Sequence, residues 1–308
     1  MNHPLRHAGL AAVLFALASA PRARAAEPAA PSASPVTTPA PASVFDYDKT
    51  VSLDVHEFSA EERDGAVIHD VTFVGTKVPI KAYIVAPAGD LPGPFAGILY
   101  VHWLGEPPLS NRSEFLNEAV ALAGQGFVSV LPDAMWSDSQ WYENRVPEND
   151  YAEAVNQVIV LRRAMDLLLA QPHVDPHRIA YVGHDFGAMY GAVMCAVDHR
   201  ATTCVFMAGV PHFVDWFLYA RQPKDLPSYR AQIAPLDPLN FIAQVAPAPV
   251  FFQFASHDKY VPAASAAAFY AAAATRKQCV TYDAGHDLHQ PEVAADRVAW
   301  LLRTLASK

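Results

Sequence analysis

A five-residue turn between two regular elements constrains this chain of 308 residues more than any other feature. Residues 183–187 read Gly-His-Asp-Phe-Gly, and they separate the apolar run 179–182 from the small-residue run 188–192. This pattern predicts a strand, a sharp turn and a helix, a geometry that lifts the central side chain above the edge of a sheet. Glycine is needed on both sides because a Cβ there would collide with the neighbouring element. The central side chain is Asp185, so the turn presents a carboxylate.

The rest of the chain alternates short apolar runs with helical patterns. Two antiparallel opening strands are predicted at 66–75 and 79–86. The nearly all-apolar run at 95–101 is typical of a strand covered on both faces. Further strands are predicted at 127–131, 178–183, 203–207, 250–254 and 278–282. Helices are predicted at 113–124, 150–169, 263–274 and 293–305. This order favours an α/β fold with a mostly parallel central sheet flanked by helices on both faces, with a short lid insertion at 211–245.

Two further polar residues follow predicted strands. Asp258 comes after the penultimate strand and His286 after the last one. Because ligands bind at the carboxyl ends of parallel strands, we expect both side chains to lie near Asp185. A histidine that is held by an acid and faces a third reactive group is the arrangement used in nucleophilic catalysis. We therefore predict that Asp185, Asp258 and His286 are catalytic, with Asp215 as the alternative acid.

The loops at the same edge of the sheet supply candidate donors and pocket walls. The backbone N–H groups of Phe186 and Trp103 are the predicted oxyanion donors, because one follows Asp185 and the other lies in the loop after the strand at 95–101. The predicted substrate pocket is lined by aromatic and polar side chains from these loops, namely His102, Trp136, Trp141, Tyr142 and Trp216.

The first residues are typical of an export signal. Arg6 gives a positive start, residues 10–20 are apolar, and residues 23–25 read Ala-Arg-Ala, a cleavage site. The apolar run is too short to span a bilayer. We therefore predict a signal peptide at 1–25, a disordered Pro/Ala-rich linker at 26–44 and one domain at 45–308. The expected location is the periplasm or the outside of the cell.

Charge and cysteine content bound the partners. The net charge of −9, with Lys and Arg scattered along the chain, argues against nucleic acid or an anionic membrane surface as a partner. We expect a small-molecule substrate and no membrane contact after signal cleavage. The cysteines Cys195, Cys204 and Cys279 lie in no metal-binding spacing, so neither a metal nor an organic cofactor is predicted. Three buried thiols are favoured, a Cys195–Cys204 disulfide is the alternative, and nothing indicates an oligomeric state.

Several of these motifs together resemble the α/β-hydrolase superfamily, and within it the dienelactone-hydrolase-like branch. The resemblance covers residues from about 65 to about 305. It is carried by Val-His at 101–102, by residues 181–188, by Ser-His-Asp at 256–258 and by Ala-Gly-His at 284–286. It implies the α/β-hydrolase fold and a triad in the chain order nucleophile, acid, histidine.

The chain departs from that branch at Asp185, where the branch usually has Ser or Cys. An Asp at this position resembles the haloalkane dehalogenases and epoxide hydrolases instead. Those families usually place Trp after the Asp, whereas this chain has Phe186.

Elementary chemistry separates the substrate classes. A carboxylate that attacks an ester carbonyl gives a mixed anhydride, from which the same carboxylate leaves most readily. Attack on the sp³ carbon of a haloalkane or epoxide gives an alkyl ester instead, which His286 can hydrolyse by activating water. We therefore expect an exported hydrolase of a small organic substrate, in which Asp185 attacks an sp³ carbon. An epoxide also needs an acid for its oxygen, and the candidates are Tyr142, Tyr190, Tyr219 and Tyr229.

Two alternatives stay open. Asp185 can act as a general base in the hydrolysis of a carboxylic ester or lactone, which the dienelactone-hydrolase resemblance favours. A binding protein that uses the hydrolase fold without catalysis is the third possibility, and it predicts that His286 and Asp258 are dispensable.

Overall fold

A single nine-stranded sheet runs through the part of the chain that the computed structural model describes, which comprises residues 37–89, 91–105, 111–138, 140–274 and 276–306. The strands are β1 (His56–Arg63), β2 (Ala66–Val74), β3 (Pro79–Pro87), β4 (Phe95–Val101), β5 (Phe127–Pro132), β6 (Val174–His184), β7 (Thr203–Met207), β8 (Val250–Ala255) and β9 (Lys277–Tyr282). Their spatial order is β1-β2-β3-β5-β4-β6-β7-β8-β9. The pairs β1–β2, β2–β3 and β3–β5 are antiparallel, and all pairs from β5 to β9 are parallel.

Helices cover this sheet on both faces. They are α1 (Leu116–Ala123), α2 (Trp141–Asn144), α3 (Asp150–Leu169), α4 (Phe186–Asp198), α5 (Val214–Ala220), α6 (Leu226–Ile233), α7 (Pro238–Phe241), α8 (Ala263–Ala272) and α9 (Pro291–Thr304). Every residue of β4, β5 and β7 is buried, as expected for apolar strands between two helical layers. The predicted α/β fold with a mostly parallel sheet is therefore confirmed, and the insertion between β7 and β8 consists of α5, α6, α7 and short 3₁₀ turns.

The first strand of the sheet was not predicted from the sequence. Strand β1 pairs with β2 at the edge of the sheet, and its register shifts between Glu57 and Ser59. Its sequence, His-Glu-Phe-Ser-Ala-Glu-Glu-Arg, is largely exposed on both sides. Because neither face is buried, the strand carries no alternation of apolar and polar residues from which it could be predicted.

The domain begins before the predicted boundary at residue 45. The predicted signal peptide and the linker as far as residue 36 lie outside the described residues. In residues 37–44, however, Ala40 is buried and its N–H donates to the carbonyl of Pro235 at 2.8 Å. Phe45 is buried as well, and its ring lies 6.0 Å from that of Phe241. The end of the predicted linker is therefore packed against the domain, because these apolar side chains find a place in its core.

The cysteines are free thiols. Cys195 and Cys204 are buried, as the favoured prediction has them, whereas Cys279 is half-buried. Among the described residues, no helix is both long and apolar enough to cross a membrane. Within the same ranges, no group of three or more His, Cys, Asp or Glu side chains is placed to hold a metal ion.

Candidate active site

The turn between β6 and α4 holds Asp185 in an unusual backbone conformation, with φ 57° and ψ −121°. Two close approaches make this turn possible. A Cβ on Gly183 would lie 2.3 Å from the carbonyl oxygen of Gly187, and one on Gly187 would lie 2.4 Å from that of Val101. Only glycine fits at both positions, because a side-chain carbon cannot approach a backbone oxygen so closely. The turn therefore presents the Asp185 side chain at the carboxyl edge of the sheet.

The structure brings Asp185, Asp258 and His286 together in one hydrogen-bonded chain. The Nε2 atom of His286 lies 2.8 Å from Oδ2 of Asp185, and its Nδ1 atom lies 2.8 Å from Oδ2 of Asp258. The other oxygen of Asp258 accepts the backbone N–H groups of Tyr260 at 2.8 Å and Val261 at 2.9 Å. Asp185 is 5% exposed and His286 is 9% exposed, so this chain of contacts is almost closed to water. Asp215, the alternative acid, is in none of these contacts.

Both ring nitrogens of His286 face carboxylate oxygens, which accept hydrogen bonds when ionised and cannot donate them. The ring therefore donates at both nitrogens and is an imidazolium in the resting site. Burial alone would lower the pKa of His286, but the hydrogen bonds and negative charges of Asp185 and Asp258 raise it to about 9. Burial opposes the charge of Asp258 as well, yet the hydrogen bonds from His286 and from the backbone hold the pKa of that carboxyl below its usual range.

The second oxygen of Asp185 occupies the place of an oxyanion. Its Oδ1 atom accepts the N–H of Phe186, one of the two predicted donors, and the N–H of Leu104 at 3.3 Å. The prediction of Trp103 as the other donor is wrong, because the Trp103 N–H donates to Oε2 of Glu114 at 2.7 Å and Leu104 takes its place. The Asp185 carboxylate thus fills, with its own oxygen, the pair of backbone donors beside it.

Four of the predicted pocket residues pack around Phe186, next to Asp185 and His286, and one of them, Trp136, lies 5.6 Å from the Phe186 ring. The Trp216 ring lies 5.9 Å from the ring of His286 and 5.0 Å from that of Phe186, edge-on to both. Trp141 lies edge-on to Phe186 at 5.6 Å. The Tyr142 ring is 6.4 Å from Phe186, and its hydroxyl donates to the carbonyl of Trp216. The wall beside Asp185 is therefore aromatic and uncharged.

Two of the predicted pocket residues, His102 and Trp136, are buried and hydrogen-bonded to the backbone. His102 is buried, its Nδ1 lies 2.8 Å from the carbonyl oxygen of Trp103, and its Nε2 accepts the N–H of Ala134 at 3.0 Å. These two contacts define a neutral ring with the proton on Nδ1, and burial lowers its pKa accordingly. Trp136 is fully buried and donates its indole N–H to the carbonyl of His102 at 3.0 Å. Both side chains hold the loop after β4 against the start of the loop after β5.

The four tyrosines that are candidate proton donors to an epoxide oxygen lie in different surroundings. Tyr219 is exposed. Tyr229 donates its hydroxyl to Asp150, and the buried Tyr190 is influenced first among its charged neighbours by the same carboxylate. The Tyr142 hydroxyl feels the charge of Asp185, and burial is the main cause that raises its pKa to about 12.

Tyr260 beside the site and Glu114 behind it were not predicted from the sequence. Tyr260 lies over His286 with a ring separation of 5.1 Å, and about half of its side chain is exposed. Its position two residues after Asp258, in the turn capped by that carboxylate, is the signal that could have indicated it. Glu114 and His184 make contacts directly behind the site. Nothing in the sequence links these two residues, which are 70 positions apart.

Known structures share this fold. An acetyl xylan esterase from Paenibacillus sp. R4 is 18% identical, with a TM-score of 0.68 over 85% of this chain and 91% of the other. Acetyl xylan esterase 1 from Thermoanaerobacterium sp. JW/SL YS485 is 17% identical, with a TM-score of 0.67 over 88% and 96% of the two chains. A putative dienelactone hydrolase from Klebsiella pneumoniae subsp. pneumoniae MGH 78578 is 17% identical, with a TM-score of 0.57 over 79% and 99%. At these identities the likeness establishes the fold alone.

Comparison at the level of sequence identifies the family. No curated protein matches the sequence significantly. The prolyl oligopeptidase family, in contrast, matches over residues 113–308, which is more than half of the chain and includes Asp185, Asp258 and His286. The chain therefore has the α/β-hydrolase fold and belongs to the prolyl oligopeptidase family of hydrolases.

Proposed function

We propose that this protein is an exported hydrolase in which Asp185 attacks an sp³ carbon of an epoxide or haloalkane and His286 activates the water that releases the product. One observation carries this proposal. The Oδ1 atom of Asp185 already accepts the backbone N–H groups of Phe186 and Leu104, while Oδ2 points to His286.

The two oxygens of Asp185 match the two halves of such a reaction. In the first half, Oδ2 forms a bond to the substrate carbon, and the carbon–halogen or carbon–oxygen bond breaks with its electron pair. In the second half, water adds to the carboxyl carbon of Asp185, and the negative charge develops on Oδ1. Donors aimed at the atom that becomes charged lower the barrier, and the N–H groups of Phe186 and Leu104 already contact that atom.

The proton on His286 fits the same sequence of steps. Alkylation removes the negative charge of Asp185, so one of the two carboxylates that hold the ring proton is lost and the pKa of His286 falls. The proton can then neutralise the oxygen of an opened epoxide, directly or through the hydroxyl of Tyr142, or it leaves to solvent when a halide departs. The neutral ring accepts a proton from the attacking water and passes it to the alcohol as the bond between Oδ2 and the carboxyl carbon of Asp185 breaks. The alcohol leaves with Oδ2, the oxygen of the water completes the new carboxylate, and the second proton of the water returns the ring to its charged form.

A second candidate is the hydrolysis of a carboxylic ester or lactone with Asp185 as general base. The family and the likeness to acetyl xylan esterases favour it. This reaction needs the N–H groups of Phe186 and Leu104 for the oxygen of the substrate. Asp185 would therefore have to release both hydrogen bonds before an ester could be bound productively.

A mass-spectrometric trap tests the two candidates. His286→Gln removes the base, so an alkyl ester that forms on Asp185 cannot be hydrolysed. The variant is incubated with styrene oxide, 1-iodobutane and 4-nitrophenyl acetate, three small neutral probes suited to an aromatic wall. We expect a mass increase equal to the whole epoxide or to the alkyl group, located on the peptide that contains Asp185, and no increase when Asp185→Asn is added.

The other outcomes decide against the proposal. If the variant forms no adduct with the epoxide or the haloalkane while the wild type hydrolyses 4-nitrophenyl acetate, then Asp185 acts as a base in ester hydrolysis. If neither an adduct nor turnover by the wild type is found, the non-catalytic binding protein is favoured.

A further inference from the structure

A buried pair of side chains lies directly behind the candidate active site and has no part in the steps above. Nδ1 of His184 lies 2.7 Å from Oε1 of Glu114. The His184 side chain is fully buried and that of Glu114 is 8% exposed. His184 immediately precedes Asp185 at the end of β6, whereas Glu114 comes from the turn before α1.

This pair contacts both of the loops that carry the rest of the site. Oε2 of Glu114 accepts the N–H of Trp103 at 2.7 Å, in the peptide that precedes the Leu104 donor. Nε2 of His184 lies 2.9 Å from the backbone carbonyl oxygen of His286. The Trp103 indole also stacks on the His184 ring, with a separation of 5.2 Å and an angle of 3° between the planes.

The contacts define how many protons the pair holds. A carbonyl oxygen only accepts, so Nε2 of His184 carries a proton for His286. Oε1 of Glu114 then faces Nδ1 at 2.7 Å, and that contact is attractive only if a proton lies between the two atoms. An imidazolium on a carboxylate satisfies every contact with charge-assisted hydrogen bonds. Without this proton, the lone pair on Nδ1 would face the negative charge of Glu114.

Several ionisable groups lie around this pair. On α9 and α1, Arg297 and Glu118 form their own ion pair, and Arg297 also feels the charge of Glu114. On the loop after β4, His102 is neutral because its Nε2 accepts a backbone N–H. Across the His184 ring, the His286 imidazolium lies between the carboxylates of Asp185 and Asp258.

We propose that Glu114 and His184 are positioning residues, which share one proton and thereby hold the Leu104 donor and the His286 base against Asp185. The inference rests on the proposed function only in taking Asp185 as the reacting group. Loss of the shared proton, or of Glu114, would release the loop after β4 and the loop after β9 together, although neither residue of the pair touches the substrate.

The matched variants are Glu114→Ala and Glu114→Gln. Alanine leaves the Trp103 N–H and the Nδ1 atom of His184 without partners. Glutamine restores every contact without the extra proton, because its oxygen accepts the Trp103 N–H and its amide donates to Nδ1 of a neutral His184. Glu143→Gln, at an exposed residue, controls for the loss of one negative charge.

Hydrogen exchange measured by mass spectrometry reports on both loops without any substrate. We expect Glu114→Ala to raise exchange in residues 101–105 and in residues 284–288 at least about fivefold, as for a buried hydrogen bond left unsatisfied. Glu114→Gln and the Glu143 control should exchange like the wild type. Wild-type exchange in both loops of Glu114→Ala would overturn the proposal, whatever the trapping experiment on Asp185 shows.

A spectroscopic test covers the case in which Glu114→Ala does not fold. We expect ¹⁵N chemical shifts of the His184 ring in the wild type to show both nitrogens protonated at neutral pH, and Nδ1 to be unprotonated in Glu114→Gln. An unprotonated Nδ1 in the wild type would refute the imidazolium–carboxylate pair. For whichever probe the wild type turns over, Glu114→Ala should lower kcat about fivefold or more with little change in KM, and Glu114→Gln should recover most of it.

Discussion

The imidazolium of His286 predicts a loss of stability as the pH rises. Its pKa lies at about 9 in the folded protein, against an ordinary value of 6.5. One pKa unit is worth about 1.4 kcal/mol, so this difference corresponds to roughly 3 kcal/mol of unfolding free energy. Because the folded-state pKa is the higher one, the contribution is fully present below about pH 6.5 and is lost as the pH rises through about 9.

The perturbation that isolates this effect is His286→Gln. Glutamine cannot titrate, and it leaves Asp185 and Asp258 buried without a cation between them. We therefore expect the variant to be least stable relative to the wild type at about pH 6, and the gap to close by roughly 3 kcal/mol at about pH 9.5. Asp185→Asn, which keeps only Asp258 as the charged partner, should show a smaller dependence in the same range.

The assay is urea unfolding followed by tryptophan fluorescence at several pH values, with the unfolding free energies compared between the variants. Other groups that titrate in this range, such as His212 with its raised pKa, are common to all the proteins and cancel in the difference. A gap between the wild type and His286→Gln that stays constant from about pH 6 to about pH 9.5 would refute the imidazolium held between two carboxylates.

Three further predictions concern the turn and the start of the domain. Asp185→Ser empties the oxyanion position and places a hydroxyl beside His286, so hydrolysis of 4-nitrophenyl acetate should rise about tenfold or more above both wild type and Asp185→Ala. The absence of a rise would count against an oxyanion position that the Asp185 carboxylate blocks. Gly187→Ala forces a Cβ to 2.4 Å from a backbone oxygen of strand β4, and thermal unfolding should show a loss of stability of roughly 1–3 kcal/mol or more. In the control variant Gly124→Ala the added Cβ meets no atom within 4 Å, so its stability should differ little from that of the wild type. Phe45→Ala should cost roughly 3–5 kcal/mol in urea unfolding and the exposed Val51→Ala less than about 0.5 kcal/mol, and equal effects would show that the start of the domain is not packed.

The sequence predicts the parts of this site that depend on strand order. Asp185, Asp258 and His286 each follow a predicted strand, and parallel strands necessarily bring such residues to one edge. The helix at 150–169 was equally predictable, since its apolar spacing and its ends are local properties.

The parts that were missed depend on hydrogen bonds between side chains and backbone groups outside the local pattern. The choice of Leu104 over Trp103 as a donor is made by Glu114, which lies further along the same connection between β4 and α1 and accepts the Trp103 N–H. His102 and Trp136 were expected in the pocket because they are polar and aromatic. Their rings are instead hydrogen-bonded to backbone groups. Local patterns carry no information about such hydrogen bonds.

The unequal treatment of the two Asp185 oxygens has an isotopic consequence. If water adds to the carboxyl carbon, the oxygen that leaves with the product is the one that faced His286, and the oxygen from water takes its place. A single turnover in ¹⁸O water would then give unlabelled product and a labelled enzyme. Since the N–H groups of Phe186 and Leu104 keep hold of Oδ1, the label would sit at the His286-facing position, and the second turnover in ordinary water would pass it to the product.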